Sequence, residues 1–341
     1  MTNADRSLAE ASPAPAGPGG FSSNLALDRT EALMHTLGVG PRLARAGLMV
    51  QELLGAGGKR VRARLALGAG EALGLPREQV VPWAAACELL HNATLVHDDI
   101  EDGDTQRRGQ PTTWVRHGVP QAINAGDLML MLPFRALEHL DTTDAIRWRL
   151  SRALARAAEA AVRGQSLEMD LLVNGRFGWD DWSAAAHGKT GALLGLPVEG
   201  AALLAGYDPA AAAQLAEEFA PLGLVFQLMD DVLDLSGNKG RPPGSDIAAG
   251  KVSAVVVAHL ALHPDDATWM KRLLGLHRSQ TDAQDVTEAI ERFCLSSSGA
   301  ADAVRTRAAA MGQALRASPT LSTTPQLHAV ALELLALLER T

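Results

Sequence analysis

Aromatic residues are scarce: they make up 4% of the 341 residues, and only one of them is a tyrosine. Strands favour aromatic and β-branched side chains, so this composition speaks against a β-rich fold. Cysteine is nearly absent. Cys87 and Cys294 stand far apart, which leaves no disulfide framework and no metal-type Cys spacing. Positive charge is in deficit, with a net charge of −8, and this argues against nucleic acid as a partner. No apolar run approaches the roughly 18 residues of a membrane span. The N-terminus also lacks the basic stretch and apolar segment of a secretory leader. A soluble cytoplasmic protein is expected, with peripheral membrane contact left open.

What the chain does contain is alanine and leucine, which dominate a hydrophobic content of 47%. Both are strong helix formers, so the expected fold class is all-α. Residues 1–22 are rich in Ala, Pro, Gly and Ser, as in Ala11-Ser12-Pro13-Ala14-Pro15, and read as a disordered arm. No internal linker follows, so residues 23–341 are expected to form one domain.

Two stretches stand out: Leu95-Val96-His97-Asp98-Asp99-Ile100-Glu101-Asp102 and Phe226-Gln227-Leu228-Met229-Asp230-Asp231-Val232-Leu233-Asp234. Each places D-D-x-x-D after an apolar helical run. On a helix the first and last aspartates lie within about 40° of one face. Carboxylates crowded on a half-buried face repel one another and lose hydration, so a cation is needed to offset the cost. Mg²⁺ suits this role, since it takes one or two carboxylates and fills its shell with water and phosphate oxygens. An EF-hand over Asp98 to Gly109 fails, because Ile100 and Gly109 occupy positions that need oxygen ligands.

Basic residues surround these motifs. Gly57-Gly58-Lys59-Arg60-Val61-Arg62 opens a helix at the end where the dipole disfavours cations. It is either a solvated basic face or an anion site. His91 lies two turns before Asp98 and is either a core histidine or a substrate contact. Arg107-Arg108 could serve as ion-pair partners for the acids or bind phosphate bidentately. Lys189-Thr190-Gly191 reads as the start of another helix. Gln227 lies three residues before Asp230 and points the same way. Gly237 to Gly250, with Arg241, reads as a mobile lid ahead of Lys251.

Taken together, G-G-K-R-x-R, both D-D-x-x-D motifs, R-R-G and K-T-G resemble the trans-isoprenyl diphosphate synthases (polyprenyl synthetases) over about residues 40–260. The resemblance implies a helical bundle around a deep central cavity, usually dimeric. It implies that Asp98, Asp102 and Asp230 bind about three Mg²⁺ ions, each ion keeping several waters. Asp99, Asp231 and Asp234 would complete the clusters, some through water. Lys59, Arg62, His91 and Arg108 would bind isopentenyl diphosphate; Arg107, Lys189, Thr190, Gln227 and Lys251 would bind the allylic diphosphate. The chain departs from the family pattern at Ala63 (often Pro), at Arg241 (a lid lysine) and at Lys251-Val252-Ser253 (K-x-T).

A class I terpene cyclase would show N-D-x-x-S-x-x-x-E where Asp230 to Asp234 stand. A non-catalytic synthase subunit would have lost one of the motifs. For product length, the resemblance points to side chains before Asp98: Thr94 and Ala93, then Leu90, then Cys87, with Met129, Met131 or Phe134 from the next helix. Small residues at 93 and 94, and no insertion within the first motif, favour a product longer than farnesyl diphosphate. The expectation is geranylgeranyl diphosphate, with a longer polyprenyl product as the runner-up and farnesyl diphosphate as a further alternative.

Overall fold

The computed structural model describes residues 24–39, 45–237, 242–275, 282–294 and 299–339. The expected arm at 1–22 and the lid residue Arg241 lie outside the described residues. The chain opens with α1 (Asn24–Val39), α2 (Arg45–Gly55), α3 (Val61–Ala72) and the long α4 (Arg77–Glu101). A two-residue hairpin, β1 (Gln106–Arg107) with β2 (Gln110–Pro111), follows; then come α5 (Thr113–His117), α6 (Val119–Ala136) and α7 (Asp144–Val173). Next are α8 (Trp179–Ala186), α9 (Ala192–Leu204) and α10 (Pro209–Asp234). The remainder is α11 (Ser245–Ala248), α12 (Ala254–Leu262), α13 (Ala267–Leu274), α14 (Ala283–Cys294), α15 (Ala300–Arg316), α16 (Pro319–Ser322) and α17 (Pro325–Glu339). The fold is all-α, as the composition requires.

Local signals explain the helix starts. Asp208 caps α10, accepting from the backbone N–H groups of Ala210 (2.9 Å) and Ala211 (3.1 Å), and Pro209 fills the first helical position, where its missing N–H costs nothing. Thr143 and Ser253 cap α7 and α12 in the same way.

Two helices form the spine. α4 is buried along nearly its whole length and packs on α1, α3, α6 and α9. Trp83, fully buried, donates its indole N–H to the Pro197 carbonyl at 2.9 Å and so ties α4 to α9. α10 packs on α9, α15 and α17. The C-terminal halves of α4 and α10 carry the acid motifs and border one large cavity between α4, α6, α7, α9 and α10.

One local expectation changes. Lys189 does not start a helix. His187–Gly191 is a π-turn inserted between α8 and α9, and such turns frequently occur at functional sites. At this turn Gly164 of α7 and Gly188 let the two backbones meet directly.

Candidate active site

The cavity has a volume of about 1050 Å³. Its wall gathers Asp98 and Asp102 from α4, and Asp230, Asp231 and Gln227 from α10. Lys189 and Thr190 of the π-turn and Lys251 from the loop before α12 also line it. Lys59, Arg62, His91, Arg107 and Arg108 line another part. Residues spread over almost two hundred positions of sequence thus meet in one space.

Two members of the acid motifs, Asp99 and Asp234, stand behind the wall rather than in it. Asp99 is buried and pairs with the Arg107 guanidinium at 2.6 Å. It lies about 100° around α4 from Asp98 and anchors the β1–β2 hairpin. Asp234 is also buried. It accepts from Ser245 Oγ (2.5 Å) and from the Asp246 backbone N–H (3.0 Å). Its carboxylate therefore fastens α11 to the end of α10. Asp231 borders the cavity but is tethered on both oxygens, by Gln227 Nε2 at 2.8 Å and by the Ala254 N–H at 2.6 Å.

The electrostatics follow from burial. Desolvation raises Asp98 to about 6 against the pull of Lys189, and Asp102 adds to the rise. Desolvation raises Asp231 to about 8, with Asp246 adding repulsion. Burial alone would lower the Lys251 ammonium, but Asp102, Asp246 and Glu168 hold it above its ordinary value. Lys251 Nζ donates to Asp102 at 2.6 Å, and Lys189 Nζ donates to Glu168 at 2.5 Å. Each lysine therefore already has an acidic partner, which an incoming anion must displace.

At the other side, Arg62 Nη1 donates to His91 Nε2 at 3.1 Å. Burial, with Arg62 and other arginines beside it, holds His91 well below its ordinary range, so the ring is neutral. With Nε2 accepting, the proton sits on Nδ1. That Nδ1 and the Arg62 Nε are both buried and have no hydrogen-bond partner. Burial lowers the Arg62 guanidinium to about 10, against the pull of Glu88. The backbone here is strained. Arg60 (φ 50°) and Arg108 (φ 54°) are left-handed non-glycine residues. Gly58, at φ 146°, leaves no room for a Cβ beneath the Arg108 guanidinium, whose atoms lie 2.9 Å from that position. The Arg60 guanidinium binds Glu31 of α1 and the Leu54 carbonyl of α2.

Among the described residues no three acidic, His or Cys side chains form a ready cage for a metal. The donors on offer are carboxylate oxygens, one or two per helix, facing open space. That fits a hard ion that keeps water and takes phosphate oxygens.

Sequence reasoning missed several wall residues. Glu168 and Gln165 of α7, Glu101 of α4 and Asp246 of α11 all line the cavity. Gln165 donates to Glu101 at 2.8 Å. The available signal was the i, i+3 spacing of Gln165 and Glu168, which places both on one face. The apolar part of the wall differs too. Thr94, Leu95 and Leu130 line it, whereas Ala93, Leu90 and Met129 are packed in the core and do not. Met131 and Phe134 point outward, 57% and 37% exposed.

Residues 45–293 match the family model for polyprenyl synthetase. The chain is 37% identical over 245 residues to the short chain isoprenyl diphosphate synthase of Methanocaldococcus jannaschii, covering 71% of this chain and 74% of that one. It is 35% identical over 282 residues to the geranylgeranyl diphosphate synthase of Mycobacterium tuberculosis, covering 80% of each. The crystal structure of polyprenyl synthase from Caulobacter crescentus complexed with calcium and isoprenyl diphosphate superposes with a TM-score of 0.82 at 26% identity. That match covers 95% of this chain and 98% of that one. With the family model matched over most of the chain and these relatives beside it, the chain belongs to the polyprenyl synthetase family and is a trans-prenyltransferase that elongates prenyl chains.

Proposed function

We propose that the chain condenses isopentenyl diphosphate with an allylic diphosphate in Mg²⁺-dependent head-to-tail elongation, and that geranylgeranyl diphosphate is its product. The observation that carries this reading is one cavity lined by carboxylates from two helices, Asp98 and Asp230, and by two sets of cations, Lys59, Arg62 and Arg108 with His91, and Lys189 with Lys251. Such a cavity suits two diphosphates, one held by cations alone and one held through metal. Lys59, Arg62, His91 and Arg108 bind the isopentenyl diphosphate. Arg107, Lys189, Thr190, Gln227 and Lys251 receive the allylic one. Asp98, Asp102 and Asp230 hold Mg²⁺, about three ions in all by the family pattern, each keeping water. When bound, the metal draws charge onto the allylic diphosphate and weakens its C–O bond.

The chain's own residues do the rest. Lys189 and Lys251 exchange Glu168 and Asp102 for diphosphate oxygens. Gln227 is oriented by Asp231, so its carbonyl oxygen, 3.3 Å from Thr190 Oγ1, stays on the substrate side as a dipole for the allylic cation. The apolar wall excludes water from that cation. Among the described residues no helix is long and apolar enough to cross a membrane. A homodimer is supported by apolar side chains left exposed on α5, α6 and α7, Val119, Ile123, Trp148 and Val173 among them.

Incubation with isopentenyl diphosphate, Mg²⁺ and dimethylallyl, geranyl or farnesyl diphosphate in turn tests the reading, with products separated after dephosphorylation. Consumption of neither substrate, or a cyclic hydrocarbon from the allylic substrate alone, overturns it.

Arg62→Met removes a charge-assisted contact worth about 1.5–3 kcal/mol. The KM for isopentenyl diphosphate rises by roughly ten- to a hundredfold, and that for the allylic diphosphate stays. A change confined to the allylic substrate reverses the assignment of the two sites. In the apolar wall, Thr94→Phe sets a bulky ring one turn below Asp98, where overpacking costs about 1–3 kcal/mol. The product shortens toward farnesyl or geranyl diphosphate, as chromatography reads directly; an unchanged distribution shows that the growing chain takes another route.

Metal binding is pH dependent with a fixed sign. A carboxylate raised to about 6 must lose its proton before it can ligate. Apparent Mg²⁺ affinity therefore falls about tenfold per unit as pH drops below about 6. Calorimetric titration at pH 5, 6 and 8 measures this, and affinity independent of pH across that range removes Asp98 from the ligand set.

A further inference from the structure

The first turn of α3 has no side-chain cap of its own. Its N-cap residue, Arg60, sits at φ 50° and ψ 43° and makes no capping bond. The N–H groups of a helix's first turn have no acceptor inside the helix. The Ala63 N–H finds one outside it and donates to Glu88 Oε2 of α4 at 3.2 Å. Position 63 is one of the chain's departures from the family pattern, and the proline common there has no N–H to give. α3 is therefore capped from α4, by a carboxylate at the helix end where the dipole favours one.

Glu88 is buried and borders the cavity among cations. Its Oε1 lies 3.9 Å from Arg60 Nη1 and 3.5 Å from Asn92 Nδ2. Burial lowers the Arg62 and Arg108 guanidinium groups, and the Glu88 charge opposes that fall in both. On α4, Glu88 and His91 are three residues apart and share a face. His91 holds the Arg62 side chain, Nη1 to Nε2 at 3.1 Å, while Glu88 holds the backbone of the next residue. Arg62 is thus fixed at two points, its head and the turn that carries it. The left-handed Arg60 just before it needs such a hold, since strained backbone persists only where its surroundings over-determine it.

We propose that Glu88 is a positioning residue for isopentenyl diphosphate: by capping α3 from α4 it sets the direction in which Arg62 meets that diphosphate. This rests on the assignment of Arg62 and His91 made under the proposed function. Glu88 acts through Arg62 and not on the reacting atoms. At 1.5 Å per helical residue it lies about 15 Å along α4 from Asp98, so its loss leaves the first acid motif and the allylic subsite in place. A carboxylate among the cations weakens anion binding by its charge. The geometry it imposes on α3 offsets that cost.

Steady-state kinetics with each substrate varied in turn test this, with the thermal midpoint recorded for every variant. Glu88→Ala raises the KM for isopentenyl diphosphate about tenfold, the size of one lost charge-assisted hydrogen bond. The allylic KM and kcat stay near wild type. In Glu88→Gln the side-chain amide oxygen still accepts from the Ala63 N–H, so the KM returns close to the wild-type value. A merely structural role gives neither the split between substrates nor the rescue. Ala63→Pro removes the donor and keeps the carboxylate, and proline is tolerated in a first helical turn. It raises the same KM, and Glu88→Ala added to it costs little more, as coupled groups behave. Where Glu88→Ala fails to fold, Ala63→Pro decides. An unchanged KM for isopentenyl diphosphate in Glu88→Ala or Ala63→Pro, a rise shared equally by both substrates, or Glu88→Gln no better than Glu88→Ala overturns the proposal. Arg62→Met separates it from the reading it rests on. If Arg62→Met leaves that KM alone, the subsite assignment fails; if it raises the KM and Glu88→Ala does not, the positioning role of Glu88 fails by itself.

Discussion

Asp98→Ala and Asp230→Ala each lower kcat by about two to three orders of magnitude or more while far-UV circular dichroism stays that of the wild type. The fold survives because Asp98 holds nothing together. Its carboxyl is raised to about 6 by burial and by Asp102, so removing it relieves a desolvation cost that only a bound cation offsets. Asp234→Ala behaves in the opposite way. That carboxylate accepts from Ser245 and from the Asp246 N–H, and its loss leaves the buried Ser245 hydroxyl unpaired at about 1–3 kcal/mol and the half-buried Asp246 N–H without its acceptor. The melting temperature drops, and α11 detaches from α10. On this reading, three aspartates that look alike on paper separate into two proposed ligands and one fastener. The measurement is kcat beside the thermal midpoint for each variant. Near-normal turnover in Asp98→Ala or Asp230→Ala, with helicity unchanged, sinks the metal-site reading.

That separation marks how far the sequence could be read. The all-α class follows from alanine, leucine and the shortage of aromatics. The start of α10 follows from Asp208-Pro209. The acid motifs are visible because carboxylates after an apolar run need an explanation. What periodicity alone could have caught is Ala93: five residues before Asp98 it lies about 140° around the helix, turned toward α6 and away from the cavity, whereas Thr94 lies within about 40°. The burial of Asp234 was out of reach. Its angle on α10 matches that of Asp230, and only the packing of α11, ten residues downstream, covers it. The π-turn at Lys189 was equally hidden, since the segment its backbone meets, α7 at Gly164, lies more than twenty residues earlier in the chain.

Gly164→Ala tests that approach and carries the second large effect. A Cβ at Gly164 would lie 2.3 Å from the Lys189 backbone nitrogen, 2.7 Å from the Gly188 carbonyl carbon and 2.8 Å from the Ala185 carbonyl oxygen. All three are backbone atoms, so no rotamer change relieves the clash. Gly188 faces the same constraint from the other side, 3.0 Å from the Gly164 Cα. α7 and the π-turn must then move apart, and Lys189 and Thr190 move with the turn. Overpacking of this kind costs about 1–3 kcal/mol. A shift of about 1 Å in a positioning group costs about a hundredfold in rate. Gly164→Ala therefore loses about two orders of magnitude in kcat and several degrees in melting temperature. Gly55→Ala is the control, since no atom lies within 4 Å of its Cβ position, and it leaves both values alone. If Gly164→Ala melts and turns over like the wild type, the backbone contact between α7 and the π-turn is not what places Lys189, and the origin of the π-turn must be sought elsewhere.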